Sequence, residues 1–76
     1  MTVILYKADW CYWCHVAEDF LRRNKVEFEA RDVDEEKNAQ EAMKKSGQAG
    51  IPVIDVDGQI VVGFNEEKLK ELLKLK

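Results

Sequence analysis

The spacing of hydrophobic and polar residues changes several times along the chain, and each change marks an expected element of secondary structure. The apolar run from Val3 to Tyr6 is too short for a helix and contains β-branched residues, so it predicts a buried strand. Beyond it, apolar residues recur at helical spacing. They are Trp13, Val16, Ala17, Phe20 and Leu21. We therefore expect a first helix that begins around Tyr12 and ends near Asn24.

The middle of the chain repeats the order of strand and helix. Alternating apolar positions between Val26 and Val33 predict a second strand with one buried face. Asp34 is positioned to cap the next helix, and two glutamates follow where acidic residues suit the helix dipole. Gly47 comes after two lysines and is expected to end this helix as a left-handed glycine.

The last part of the chain predicts a hairpin. Two apolar runs, 51–56 and 59–62, are joined only by Asp57 and Gly58. An Asp-Gly pair between such runs is a strong signal for a two-residue turn between antiparallel strands.

A third helix is expected after the hairpin. Asn65 is a favourable N-cap residue, and Phe64 can pack on Leu69 as a hydrophobic staple. The element order is then βαβαββα. The first two strands should pair in parallel through a right-handed crossover, and the hairpin should add two antiparallel strands. The expected fold is α/β, a four-stranded mixed sheet flanked by three helices.

Length and charge narrow the functional classes. A chain of 76 residues has room for one domain, covering 1–76. Its net charge of −3 and scattered basic residues argue against nucleic acid as a partner. No apolar stretch approaches the length of a membrane span, and no signal-peptide pattern is visible. We expect a monomeric cytoplasmic protein.

The candidate chemistry lies in the only two cysteines, Cys11 and Cys14, which form a CxxC motif between the first strand and the first helix. In the cytosol such a pair is more often redox-catalytic than structural. A helix N-terminus favours the thiolate of Cys11, whereas Cys14 lies one turn further in. We predict that Cys11 attacks a disulfide and Cys14 resolves the mixed disulfide. Lys7 would add a positive field, which Asp9 opposes.

Other interpretations of the same residues stay open. The cysteines could be buried packing residues. With His15 they supply at most three zinc ligands, and Cys11 to His15 matches the CxxCH pattern of c-type haem attachment. The cysteines could also serve an iron–sulfur carrier or belong to a non-catalytic binding module. Exchange chemistry, which needs no metal or bound cofactor, is the favoured prediction.

Four features together resemble the glutaredoxin branch of the thioredoxin superfamily: the CxxC after the first strand, Ile51-Pro52 ahead of the hairpin, Gly63 after it, and the chain length. The resemblance implies a thioredoxin fold and a thiol/disulfide oxidoreductase. It also implies that Pro52 is cis beside the thiols and that the backbone of Ile51 pairs with an extended substrate. From the residues alone, Pro52 is the proline of a strand start.

The chain departs from that family pattern at two places. Many glutaredoxins carry Cys-Pro-Tyr-Cys, whereas Tyr12 and Trp13 stand between the cysteines here. Phe64 follows Gly63 where glutathione-using members have a Gly-Gly pair. The Gly-Phe sequence resembles glutaredoxin-like redoxins that take electrons from thioredoxin reductase and supply ribonucleotide reductase.

Two hypotheses about the reductant follow. In the first, glutathione is the co-substrate, and the residues expected to bind it are Lys7, Gln48, Ile51, Pro52 and the stretch from Gly63 through Phe64 and Asn65 to Glu66. In the second, a flavoprotein thioredoxin reductase docks on an apolar patch made by Tyr12, Trp13, Ile51 and Phe64. The proteins acted on would be disulfide-containing proteins in either case. Trp13 can alternatively be a core residue, and Phe64 can equally be a staple alone.

Overall fold

The structure is a computed structural model that describes residues 1–75, and it contains the predicted elements in the predicted order. The strands are β1 (Val3–Lys7), β2 (Glu29–Asp32), β3 (Val53–Val56) and β4 (Gln59–Val62). The helices are α1 (Tyr12–Arg23), α2 (Glu36–Ser46) and α3 (Glu66–Leu73). No helix within residues 1–75 has the length and apolar character needed to cross a membrane.

The four strands form one mixed sheet in the order β2-β1-β3-β4. β1 pairs with β2 in parallel, with Lys7 opposite Asp32. β3 runs antiparallel to β1 and places Val53 opposite Tyr6, and β4 is antiparallel to β3. This pairing confirms the predicted parallel unit with an added hairpin. It also brings the end of β1 beside the start of β3.

The two faces of the sheet are packed differently. The α1 and α3 side holds a continuous apolar core that includes Leu5, Leu21, Ile54 and Leu69, all fully buried. On the α2 side, the smaller cluster of Ile4, Tyr6, Ala42 and Val53 is bordered by polar contacts. Tyr6 donates to Glu41, and Lys45 pairs with Asp55 at 2.8 Å.

The sequence correctly predicted the hairpin turn, the end of α2 and the start of α3. Asp57 and Gly58 both have positive φ, +51° and +90°, as the predicted two-residue turn requires. Gly47 ends α2 in the left-handed conformation at φ +73°, where its N–H bonds to the carbonyl of Met43. Asn65 caps α3 as predicted.

The prediction for the second strand was wrong in its extent, because β2 covers only Glu29–Asp32 instead of 26–33. The N–H of Val26 donates to the carbonyl of Leu21 at 2.9 Å and so closes the end of α1. Val26 and Phe28 pack against the apolar core from this connection. β3 is likewise shorter than the run 51–56 and begins after Pro52.

Asp34 is not the N-cap of α2, which corrects another prediction. Glu35 occupies that position, and its side chain makes no capping bond. The Asp34 carboxylate instead accepts a hydrogen bond from the indole Nε1 of Trp10 at 3.1 Å. Its own backbone N–H donates to Asp32 Oδ1 at 2.8 Å, within a turn that separates β2 from α2.

Candidate active site

The two cysteines lie together where β1 gives way to α1. Cys11 and Cys14 form a small buried cluster with Ala8, on which Val33 and Ile51 pack. Both thiols are free, and Cys11 is 9% exposed against 1% for Cys14. Cys11 is therefore the more accessible residue of the two.

Cys11 is the N-cap of α1. Its Sγ accepts the backbone N–H of Cys14 at 3.2 Å, and its own N–H closes a turn onto the carbonyl of Ala8 at 3.1 Å. The first turn of α1 contains no acidic residue. The sulfur thus lies at the positive end of a helix dipole with a backbone donor directed at it, a position that favours negative charge.

Cys14 is held as a thiol. Burial raises its pKa to about 12, and the hydrogen bond that its thiol donates to Cys11 acts in the same direction. The ammonium of Lys7 has a smaller, opposite effect. Cys14 therefore keeps its proton near neutral pH.

Lys7 lies near the two cysteines, but its ammonium group is paired with two carboxylates. Its Nζ lies 3.4 Å from Asp9 Oδ1 and 3.7 Å from Glu18 Oε2. The sequence predicted that Asp9 opposes the positive field of Lys7, and the structure places the two side chains in an ion pair.

The segment before β3 forms the opposite wall of the site. The peptide bond between Ile51 and Pro52 is cis, as the family resemblance implies. The carbonyl oxygen of Ile51 lies 4.0 Å from Cys11 Sγ. The carbonyl of Pro52 accepts the N–H of Gly63 at 2.8 Å, which ties this segment to the end of β4. Gly63 has φ +77°, a conformation that suits glycine.

A row of aromatic rings runs from the surface beside Cys11 into the core. Tyr12 is 70% exposed and meets Trp13 edge to face at 5.2 Å. Trp13 stacks on Phe64, with ring centroids 6.3 Å apart and an interplanar angle of 16°. Phe64 in turn contacts Phe20 at 5.5 Å. Phe64 therefore bridges the surface rings to the core.

Trp13 is not on the buried face of α1, so the alternative in which it is a core residue is wrong. It is 56% exposed. The buried positions of the helix are Cys14, Ala17, Phe20 and Leu21. Residue 13 precedes that stripe, and its ring lies over Phe64 at the start of α3.

Two further candidate residues have their polar atoms occupied. The amide of Gln48 donates from Nε2 to Ser46 Oγ and to the carbonyl of Gly50, and its Oε1 accepts the N–H of Gly50. Asn65 accepts the N–H of Lys68 at 3.1 Å, and Glu66 and Glu67 follow it in the first turn of α3.

The structure adds two contacts that the sequence did not signal. Trp10, directly before Cys11, is fixed by its bond to Asp34. The His15 Nε2 lies 2.7 Å from the carbonyl oxygen of Asp9 and so joins the first turn of α1 to the loop before it. Trp10 and Asp34 are 24 residues apart, and no local pattern relates them. Within residues 1–75, no group of three or more His, Cys, Asp or Glu side chains is arranged to hold a metal ion.

Comparison with known proteins places these features in a family. The glutaredoxin family model matches residues 3–61. A glutaredoxin-like 8.6 kDa protein from the rubredoxin operon of Clostridium pasteurianum is 32% identical over 71 residues, covering 92% of this chain and 95% of that protein. The chain therefore belongs to the glutaredoxin family, a family of thiol oxidoreductases.

Solved structures agree with that assignment. The glutaredoxin Grx-1 from Archaeoglobus fulgidus has a TM-score of 0.88 at 33% identity, covering 95% of this chain and 85% of that one. NrdH-redoxin from Escherichia coli, a glutaredoxin-like protein described for its thioredoxin-like activity profile, has a TM-score of 0.82 at 25% identity and covers 95% of both chains. With the sheet order described above, these likenesses confirm the α/β thioredoxin fold.

Proposed function

We propose that this chain reduces protein disulfides through both of its cysteines, with Cys11 as the nucleophile and Cys14 as the resolving thiol. The observation that carries the proposal is the position of the Cys11 sulfur. It caps α1 and accepts a backbone N–H, and it belongs to the more exposed of the two cysteines. Those are conditions in which a thiolate is stabilised and can reach a substrate.

The first step forms a mixed disulfide. The Cys11 thiolate attacks one sulfur of the substrate disulfide, a new bond joins Cys11 to that sulfur, and the other substrate sulfur leaves as a thiolate that takes up a proton. The thiol of Cys14, which donates a hydrogen bond to Cys11, stabilises the attacking anion. The backbone of Ile51 lies beside the attacking sulfur and can pair with an extended substrate.

The second step releases the product. Cys14 loses its proton and attacks Cys11 Sγ, which forms the internal disulfide and expels the second substrate thiolate. Cys14 loses the hydrogen bond and the charge of the Cys11 thiolate once Cys11 is in a mixed disulfide. Both raise its pKa in the reduced protein. Their removal makes Cys14 easier to ionise when it is needed.

Two observations favour a flavoprotein thioredoxin reductase over glutathione as the source of electrons. Tyr12, Trp13 and Phe64 form a continuous aromatic surface beside Cys11, which suits docking of a protein. The groups expected to hold glutathione carboxylates are otherwise engaged. Gln48 is bonded within its own loop, Asn65 caps α3, and Lys7 is paired with acids.

The thioredoxin-like activity profile of NrdH-redoxin supports the same choice. Ribonucleotide reductase is then a candidate acceptor, to be assayed alongside model protein disulfides.

Trapping tests the assignment of the cysteines. Cys14→Ser should stop at the mixed disulfide and accumulate a covalent complex with a protein disulfide substrate. Cys11→Ser is the matched control and should trap nothing. A complex that forms through Cys14 in the Cys11→Ser variant, or none in either variant, would contradict the mechanism.

A second measurement tests the reductant. The oxidised protein is mixed with NADPH and thioredoxin reductase, or with NADPH, glutathione and glutathione reductase, and its reduction is followed by tryptophan fluorescence. We expect fast reduction only by thioredoxin reductase. Fast reduction by glutathione alone would identify glutathione as the co-substrate. Reduction by neither, or a coloured purified protein, would favour a binding module or a metal or haem carrier.

A further inference from the structure

An apolar cavity of about 260 Å³ opens next to the candidate active site. Val33 and Ile51, which pack on the Cys11 cluster, border it together with Trp10, and Ala42 and Met43 border it from α2. None of its lining residues is charged, although charged residues make up 36% of the chain. Its location and composition set it apart from the aromatic surface of Tyr12, Trp13 and Phe64.

The cavity has no free polar side chain to offer a ligand. Gln48 is the only lining residue with a side-chain amide, and both ends of that amide are bonded to Ser46 and Gly50. At the rim, Trp10 and Met43 are 69% and 49% exposed. Burial of such apolar surface is favourable, so an apolar occupant fits this cavity better than a polar one.

Two residues that line the cavity, Trp10 and Ile51, adjoin Cys11. Trp10 is the residue before Cys11, and the carbonyl of Ile51 lies 4.0 Å from Cys11 Sγ. The indole of Trp10 donates a hydrogen bond to Asp34 at 3.1 Å, which favours the side-chain position that forms this wall of the cavity. A polypeptide whose disulfide reaches Cys11, and whose backbone follows Ile51, therefore carries its neighbouring side chains past the cavity mouth.

We propose that this cavity is a specificity subsite that receives a large apolar side chain next in sequence to the reactive cysteine of a protein disulfide. The inference rests on the proposed function and names the substrate class. Its occupant is a leucine, methionine or phenylalanine side chain. Glutathione has glycine after its cysteine, so the position after its cysteine offers no side chain to the subsite.

Peptide disulfides provide the direct test on the unmodified protein. Three peptides carry one cysteine as a disulfide with 2-mercaptoethanol and differ only beside it, with Leu before the cysteine, Leu after it, or Gly on both sides. The rate of reaction with the reduced protein is followed by tryptophan fluorescence. We expect one of the Leu peptides to react about ten- to a hundred-fold faster than the Gly peptide, the range given by burying one large apolar side chain.

A cavity-filling variant locates the effect. Ala39 lines the cavity from α2, and Ala39→Phe should bring the ratio of Leu to Gly rates close to one. Gln40 is exposed on the same helix and does not line the cavity, so Gln40→Phe is the matched control and should keep the ratio. Circular dichroism checks that both variants fold.

The outcomes separate the two proposals. Equal rates for all three peptides would overturn the subsite and leave the exchange function standing. A ratio that survives Ala39→Phe, or one that is lost equally in Gln40→Phe, would also overturn it. A protein that reacts with none of the peptides would contradict the proposed function itself.

Discussion

The N-termini of α1 and α3 lie side by side, joined by the stacked rings of Trp13 and Phe64, yet their exposed N–H groups are satisfied in different ways. α1 is capped by the sulfur of Cys11 and has no acidic residue in its first turn. α3 is capped by the amide oxygen of Asn65 and carries Glu66 and Glu67 in its first turn.

The two N-termini differ in whether a permanent negative charge lies beside them. Carboxylates near a helix N-terminus stabilise the helix, and α3 uses two of them beside a conventional cap. In the proposed mechanism, the same field at α1 acts on the Cys11 sulfur, which carries negative charge only while it attacks a disulfide. We infer that the first turn of α3 has a structural role and the first turn of α1 a chemical one.

Replacement of the α1 cap gives the largest expected effect. Cys11→Ser should lower disulfide exchange to the uncatalysed rate, because serine cannot form the mixed disulfide. Serine is itself a favoured N-cap, so the free energy of unfolding should change by less than about 1 kcal/mol. Exchange assays and chemical denaturation measure the two quantities. A large loss of stability would show that the Cys11 sulfur matters to the fold as much as to the chemistry.

Titration of the reduced protein compares the two thiols. Because the pKa of Cys14 is raised to about 12, its protonated form is favoured at any pH below that value. We expect no more than one thiolate per chain between about pH 4 and pH 9, the range below tyrosine ionisation. Thiolate absorbance in the ultraviolet measures the number of thiolates per chain. Cys14→Ser is the control, and its absorbance change should equal that of the unmodified protein. Two thiolates by pH 9 would contradict the assigned roles.

The features predicted correctly from sequence depend on neighbouring residues. The hairpin at Asp57 and Gly58, the end of α2 at Gly47 and the cap at Asn65 each follow from the conformational preference of one or two residues. The CxxC at the start of α1 is equally local. These signals, with the spacing of apolar residues, were enough for the element order and the family resemblance.

The features predicted wrongly depend on partners distant in sequence. Asp34 has the right chemistry for a cap, but the indole of Trp10 takes its carboxylate. Trp13 fits the helical apolar spacing, but Phe64 offers its ring a partner at the surface. Val26 is the exception, because its N–H closes α1 through a local bond to the carbonyl of Leu21. The apolar cavity beside Ile51 also needs three separate segments and has no sequence pattern.

Removal of the α3 cap should affect the fold and not the chemistry. Asn65→Ala takes away the acceptor for the N–H of Lys68, and the free energy of unfolding should fall by about 1 kcal/mol. Asn65→Ser keeps an acceptor and should restore most of that loss. Chemical denaturation measures both. If the main effect of Asn65→Ala were instead a higher KM for glutathione, the residue would belong to a glutathione site.

A carboxylate in the first turn of α1 should give the smallest effect and test the comparison most directly. Tyr12 is exposed and begins the helix, so Tyr12→Glu places there the kind of residue that α3 already has. The added charge favours the helix but opposes the Cys11 thiolate. A charge near a helix terminus is worth about 0.3–1 kcal/mol, so attack on a small disulfide at pH 7 should slow by about two- to five-fold. Tyr12→Gln is the neutral control for the lost ring, and added salt should shrink the difference between the two variants. Equal rates for the glutamate and glutamine variants would mean that the helix field does not act on Cys11. The first turns of α1 and α3 would then not differ in chemical role.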